Sequence, residues 1–248
     1  MSKRYIQSTI VLAVILIALG GSWFVFSRRV DDRHEPGETI PAPSPKHTPT
    51  LEPRTSEKLP VPYVNEAPSG DWSGPWKNAC EEASIAMVQF YYQGKASATV
   101  REAEAFMTML FEKQDAKYGS NLNSDGAQMK YLIDNFTNFT AEIIRNPTID
   151  QIKEQIDDEH PVISLHYGFD LKNPNIPFLR TGTSYHAMVI IGYDDVAKEF
   201  IVNDDGDTKA GAGHRYGYDL FMNTLHEYSY ETKKADGPPT VLFTAKKS

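Results

Sequence analysis

The sequence predicts an α+β domain over residues 59–248, with a helical half packed on an antiparallel sheet. Three observations carry this. From Asn78 to Tyr92 the chain is apolar almost without interruption (Ala79, Ala83, Ile85, Ala86, Met87, Val88, Phe90, Tyr91, Tyr92), which fits a buried central helix better than a surface one. Helical patterns follow at Thr99–Lys117, Ala127–Asn135 and Ile149–Asp157, the last opened by Thr148 and Gln151 in capping-box spacing. Strand-like runs come later, at Pro161–Tyr167, His186–Tyr193, Glu199–Asn203 and Thr240–Ala245.

The residues before this domain read differently. Lys3 and Arg4 precede an uncharged apolar run from about Tyr5 to Phe26, and Arg28 and Arg29 close it. About twenty such residues cross a bilayer as a helix. Trp23, Phe24 and Phe26 are too bulky for a small-x-small cleavage site, so residues 1–29 are expected to be an uncleaved transmembrane anchor. Residues 30–58 are rich in Pro, Glu, Thr and Ser and poor in large apolar side chains, and are expected to be a disordered, semi-extended linker. Pro60-Val61-Pro62-Tyr63-Val64 reads as an extended entry into the domain. This layout places the domain outside a membrane, held off its surface.

Composition narrows the chemistry. The formal net charge of -8 argues against a nucleic-acid partner, which needs a basic face. The single cysteine excludes an internal disulfide and a cysteine-rich zinc site. No cofactor is implied. Asp204-Asp205-Gly206-Asp207 lacks the spacing and closing glutamate of an EF-hand, so no metal is expected there.

Cys80 stands at the start of the apolar helix, where unpaired N–H groups and the dipole favour a thiolate. Glu81 and Glu82 follow and oppose it. Helix position alone leaves two readings level: a nucleophile, or a small buried hydrophobe. A base with an orienting partner separates them. Pairing Gly192 with Glu199 in a hairpin pairs Ala187 with Asp204 and brings Asn203, Asp204 and Asp205 beside His186. His186 is therefore the candidate base, with Asp204 as first and Asn203 as second choice of orienter. His166, in the strand from Pro161, is the reserve base. His160 reads as structural, and His214 falls in a Gly-rich stretch read as a loop. Trp72 and Trp76 either line a cleft or anchor a loop.

These residues resemble a known family. Val61-Pro62-Tyr63-Val64-Asn65-Glu66-Ala67-Pro68, then Trp72, then Ala79-Cys80-Glu81-Glu82-Ala83-Ser84, are similar to the start of the bacteriocin-processing-like cysteine peptidases, the thirty-nine family of the papain-like clan. Asn173-Pro174, Gly182, Tyr185-His186 and Ile190-Ile191-Gly192-Tyr193 resemble its histidine segment, and Phe200 to Gly206 its orienter segment. The resemblance implies a papain-like fold and a site of Cys80, His186 and Asp204 acting on a peptide or related amide. Two positions depart from the pattern. Asp205 stands where proline is usual. Glu66 stands where a glutamine usually helps form the oxyanion hole; an ionised glutamate cannot donate there, whereas a protonated one can. Asn65 is the adjacent donor, and the Cys80 N–H serves either way. The rival expectations are an inactive peptidase-like module that binds peptide at the cell surface, and a structural protein with an incidental cysteine.

Overall fold

A buried helix and a buried strand, crossing at the middle of the domain, organise the rest. The computed structural model describes residues 53–56, 58–120, 122–176 and 184–248, all within one unit, Thr50–Ser248. The expected anchor, residues 1–29, and most of the expected linker lie outside the described residues. Among the described residues no helix is long and apolar enough to cross a membrane.

Helix α1 (Cys80–Tyr92) buries every residue except Tyr91. Its sequence contains no glycine or proline, and Gly94, with φ of 73°, turns the chain out of it. Helix α2 (Val100–Tyr118) opens with a Thr99–Glu102 capping box and closes on Gly119 in the left-handed region. Helix α3 (Gly126–Phe136) is capped by the Asp125 side chain. Helix α4 (Ile149–Asp157) carries the capping box of Thr148 and Gln151 that its sequence announces.

The sheet has six antiparallel strands: β1 (Phe139–Arg145), β2 (Val162–Tyr167), β3 (Tyr185–Asp194), β4 (Glu199–Asn203), β5 (Ala212–Gly217) and β6 (Thr240–Lys246), in the order β1-β6-β2-β3-β4-β5. Strand β3 is buried from Tyr185 to Tyr193. Its near-continuous apolar run reflects cover on both faces, with α1 and α4 packed against it.

The structure adds three elements to the sequence reading. β1 alternates buried Phe139 and Ala141 with exposed Thr140 and Glu142, a period-two signal in plain view. β5 is an edge strand carrying Gly213 and Gly217, and its glycines hide it; His214 lies in this strand, not in a loop. Helix α5 (Tyr218–Thr224) has 7 residues, too few to show a helical period. Ser56 N–H donates to Tyr193 O at 3.1 Å and Leu59 N–H to Ile191 O at 2.8 Å, so the chain at Ser56 and Leu59 runs along β3.

The β3–β4 hairpin corrects the expected register. Asp194 pairs with Glu199, not Gly192, and the register shifts between Ile190 and Gly192, bringing Val189 opposite Asn203. The turn is tighter than assumed, and an irregularity at Ile191 takes back one of the two residues.

Candidate active site

Cys80 is the first residue of α1, and no side chain caps this helix end. His186 is the second residue of β3. Asp204 lies one residue beyond β4. Continuing the observed register would set Asp204 opposite Met188, so His186 is its diagonal neighbour, still within reach. His186 Nε2 lies 2.8 Å from Asp204 Oδ1. The Cys80 sulfur, a His186 ring nitrogen and a Glu66 carboxylate oxygen all lie within 4.8 Å of one another.

Asp204 is heavily held. Its Oδ2 accepts from Tyr216 Oη at 2.6 Å and from Asn173 Nδ2 at 3.2 Å. Its own N–H donates to Gly211 O at 2.9 Å. Gly211 is needed here: a Cβ at this position would overlap the Asp204 carbonyl oxygen and crowd Tyr63 Oη. Burial pushes the Asp204 carboxyl upward, but the field of His186 and the hydrogen bonds from His186 and Tyr216 outweigh it and leave its pKa below the ordinary value. An ionised Asp204 accepts from Nε2–H and so fixes the tautomer that leaves the lone pair on Nδ1.

Asn203, the second orienter candidate, is committed elsewhere. Its Nδ2 donates to Val61 O at 3.1 Å, and its Oδ1 accepts from Gly213 N–H at 3.2 Å. His166 pairs directly with His186 across β2 and β3. Its Nδ1 lies 2.9 Å from Thr224 Oγ1 and its ring stands edge-on to Phe221. Burial, then the neighbouring His186, hold its pKa well below the ordinary value, so it is a neutral neighbour of the pair.

Glu66 is brought in by a segment stitched to the loop after β4. Its N–H donates to Asp205 O at 3.1 Å, and Tyr63 Oη donates to Asp204 O at 3.1 Å and Asp207 O at 3.0 Å. Asn65 Nδ2 donates to Asp205 O at 2.7 Å, so this amide is already engaged. The Glu66 side chain is 0% exposed, and neither carboxylate oxygen has a hydrogen-bond partner among the described residues. Burial first, then the charges of Glu81 and Asp204, raise its pKa well above the ordinary value, which favours the protonated form.

Further acids surround the thiol. Cys80 Sγ donates to Glu81 Oε2 at 3.1 Å, while Glu81 Oε1 accepts from the Ser124 N–H. Asp205 Oδ2 accepts from Ser84 Oγ at 3.1 Å. Burial raises the pKa of Glu81, Glu82 and Asp205. The Cys80 thiol is pushed well up by burial, then by Glu81, Glu66 and Asp205. The dipole of α1 is thus outweighed, and the resting sulfur is a thiol.

Asp207, the last member of the acidic loop, serves the backbone: its Oδ1 accepts from the N–H groups of Lys209 at 2.8 Å and Ala210 at 2.9 Å. Trp76 packs edge-on against Phe111 and anchors its loop. Trp72 lines a cavity of about 570 Å³ with Tyr63, Asn65, Pro68 and Asp207. Sequence reasoning assigned no role to Tyr216 or Asn173. Tyr216 lies on the unrecognised β5, and Asn173 meets Asp204 through a separation of 31 residues that no periodicity reveals.

An α+β domain that sets a thiol at a helix start beside a histidine–carboxylate pair has the layout of a cysteine peptidase. Residues 58–236 match the model of the Peptidase_C39 like family, and the chain belongs to that family. No curated protein matches it. Among solved structures it is similar to one from Bacillus anthracis described as a C39-like peptidase, with 14% identity and a TM-score of 0.49 over 78% of this chain and 100% of the other.

Proposed function

We propose that residues 59–248 form a papain-like cysteine peptidase acting outside the membrane to which residues 1–29 anchor it. The observation that carries this reading is the placement of the Cys80 sulfur at the start of α1, within 4.8 Å of a ring nitrogen of His186, whose Nε2 is held by Asp204. Because the thiol is protonated at rest, attack proceeds with general-base help. His186 Nδ1 takes the thiol proton as sulfur adds to the peptide carbonyl, and ionised Asp204 stabilises the imidazolium. The Cys80 N–H and the protonated Glu66 carboxyl donate to the oxyanion. The imidazolium then protonates the leaving amine, and water, deprotonated by His186, releases the acyl group.

The experiment is hydrolysis of a mixed peptide library by the purified full-length chain between pH 4.5 and 8. Cys80→Ala is expected to remove cleavage, and His186→Ala to lower it by about three orders of magnitude or more. Wild-type protein that cleaves nothing over this range, with Cys80 inert to iodoacetamide, defeats the proposal. Protease shaving of intact cells tests the location: an extracytoplasmic domain is released, a cytoplasmic one is protected.

A second reading is favoured by one observation, the buried Cys80 thiol donating to Glu81. It describes a module that holds peptide without cutting it. Saturable peptide binding unchanged in Cys80→Ala, with no cleavage by wild type, selects this reading.

A further inference from the structure

We propose that Glu66, Cys80 and His186 form a binding site for one thiophilic divalent cation, with zinc the best match to the donor set. The three side chains come from separate parts of the fold: the segment before α1, the first residue of α1 and the start of β3. They present a carboxylate oxygen, a sulfur and an imidazole nitrogen, all within 4.8 Å of one another. Oxygen and nitrogen bind zinc at about 2.0 Å and sulfur at about 2.3 Å, which puts tetrahedral ligand atoms roughly 3.3–3.6 Å apart. Binding therefore requires the three side chains to draw together from a spread of up to 4.8 Å. Three protein donors leave the fourth position for water.

Glu66 points to the ligand independently. It is 0% exposed, and both of its oxygens lack a hydrogen-bond partner among the described residues, although one of them lies within 4.8 Å of the Cys80 sulfur and a His186 ring nitrogen. A buried carboxyl of this kind is costly unless something occupies it. The surroundings also suit a metal-bound histidine: Asp204 engages Nε2 at 2.8 Å and is itself held by Tyr216 and Asn173. A carboxylate behind a histidine in this way orients it toward zinc and raises its basicity.

The balance is simple. The entering dication displaces one proton from Cys80 and one from Glu66, both to solvent, so the net charge of the pocket is unchanged. Coordination occupies the sulfur lone pairs, so metal binding and nucleophilic attack exclude one another. Where the peptidase reading holds, this cation is therefore a reversible inhibitor; binding itself does not rest on that reading.

The test is titration of the full-length chain, reduced and stripped with chelator, with cobalt(II) and then with competing zinc. One equivalent of cobalt is expected to give a near-ultraviolet thiolate charge-transfer band and tetrahedral visible bands, bleached by zinc. Cys80 is the only cysteine, so the charge-transfer band reports this site alone. Cys80→Ser is expected to remove that band, and Glu66→Gln to weaken binding about 10- to 100-fold. Glu66→His, which restores a donor, should recover affinity toward wild type, and thermal unfolding of each variant shows that it is folded. A missing charge-transfer band, or equal affinity in folded Glu66→Gln, overturns the proposal. Binding is read without substrate: a chain that binds cobalt but cuts no peptide defeats the peptidase and keeps the metal site, and a chain that cuts peptide but binds no cobalt does the reverse.

Discussion

Asp204 and Asp205 are adjacent in sequence and equally inaccessible, yet the fold shifts their pKa values in opposite directions. Asp204 receives bonds from His186, Tyr216 and Asn173, and its pKa is lowered. Asp205 has Ser84 on one oxygen; the other has no hydrogen-bond partner among the described residues and faces His186 Nε2 only at 3.9 Å, and burial, then Glu66 and Asp204, raise its pKa well above the ordinary value. Depth alone therefore does not set charge. The field of His186 and the donors that reach the carboxylate do. Glu66, beside the thiol, resembles Asp205 in this: neither of its oxygens has a hydrogen-bond partner among the described residues, and burial raises its pKa.

Breaking the bonded carboxylate has the largest expected effect. Asp204→Asn places an amide where a carboxylate fixes the histidine tautomer, and kcat/KM is expected to fall by about 10³- to 10⁴-fold. Three buried donors also lose their charged acceptor, so urea denaturation should show a loss of about 2–3 kcal/mol.

Relieving the under-bonded carboxyls is expected to stabilise. In Glu66, Glu82 and Asp205 the folded pKa lies above the unfolded one. Their contribution is full below the ordinary carboxylate range, about pH 4, and is lost as pH rises through the raised folded values. Asp204 acts in the opposite sense: its contribution is present above that range and is lost as pH falls through its lowered value. Glu66→Gln should therefore raise stability at pH 8 by about 1–2 kcal/mol and flatten the decline of Tm between pH 5 and 8. It should also remove any alkaline fall in activity caused by loss of the Glu66 proton, since an amide donates at every pH.

Smaller changes sharpen the contrast. Tyr216→Phe removes one donor to Asp204 and should cost about 1 kcal/mol, with less than a tenfold change in kcat/KM. Glu81→Gln removes the carboxylate that accepts from the Cys80 thiol and opposes the thiolate, and iodoacetamide labelling of Cys80 at pH 8 should become a few-fold faster.

Much of the fold is legible in the sequence because burial leaves a periodic trace. The apolar run to Tyr92, the Thr148–Gln151 capping box and the short apolar runs of β2, β3, β4 and β6 all mark elements found in the structure. Where the trace is short or rich in glycine, at α5 and β5, it fails, and Tyr216 is lost with it. The hairpin shows the limit of register arithmetic: an irregularity at Ile191 costs nothing visible in the sequence but shifts every partner beyond it.

By itself, then, the sequence determined that one cysteine starts a buried helix, that one histidine starts a buried strand, and that acids cluster after the next strand. Only the tertiary structure decided which acid meets the imidazole, that Asn203 and Asn65 are spent on backbone groups, and that Glu66 stands bare beside the thiol. The reason is physical. Helix starts and strand periods are set by neighbours a few residues away, whereas the protonation of a buried carboxyl is set by donors that arrive from distant parts of the chain.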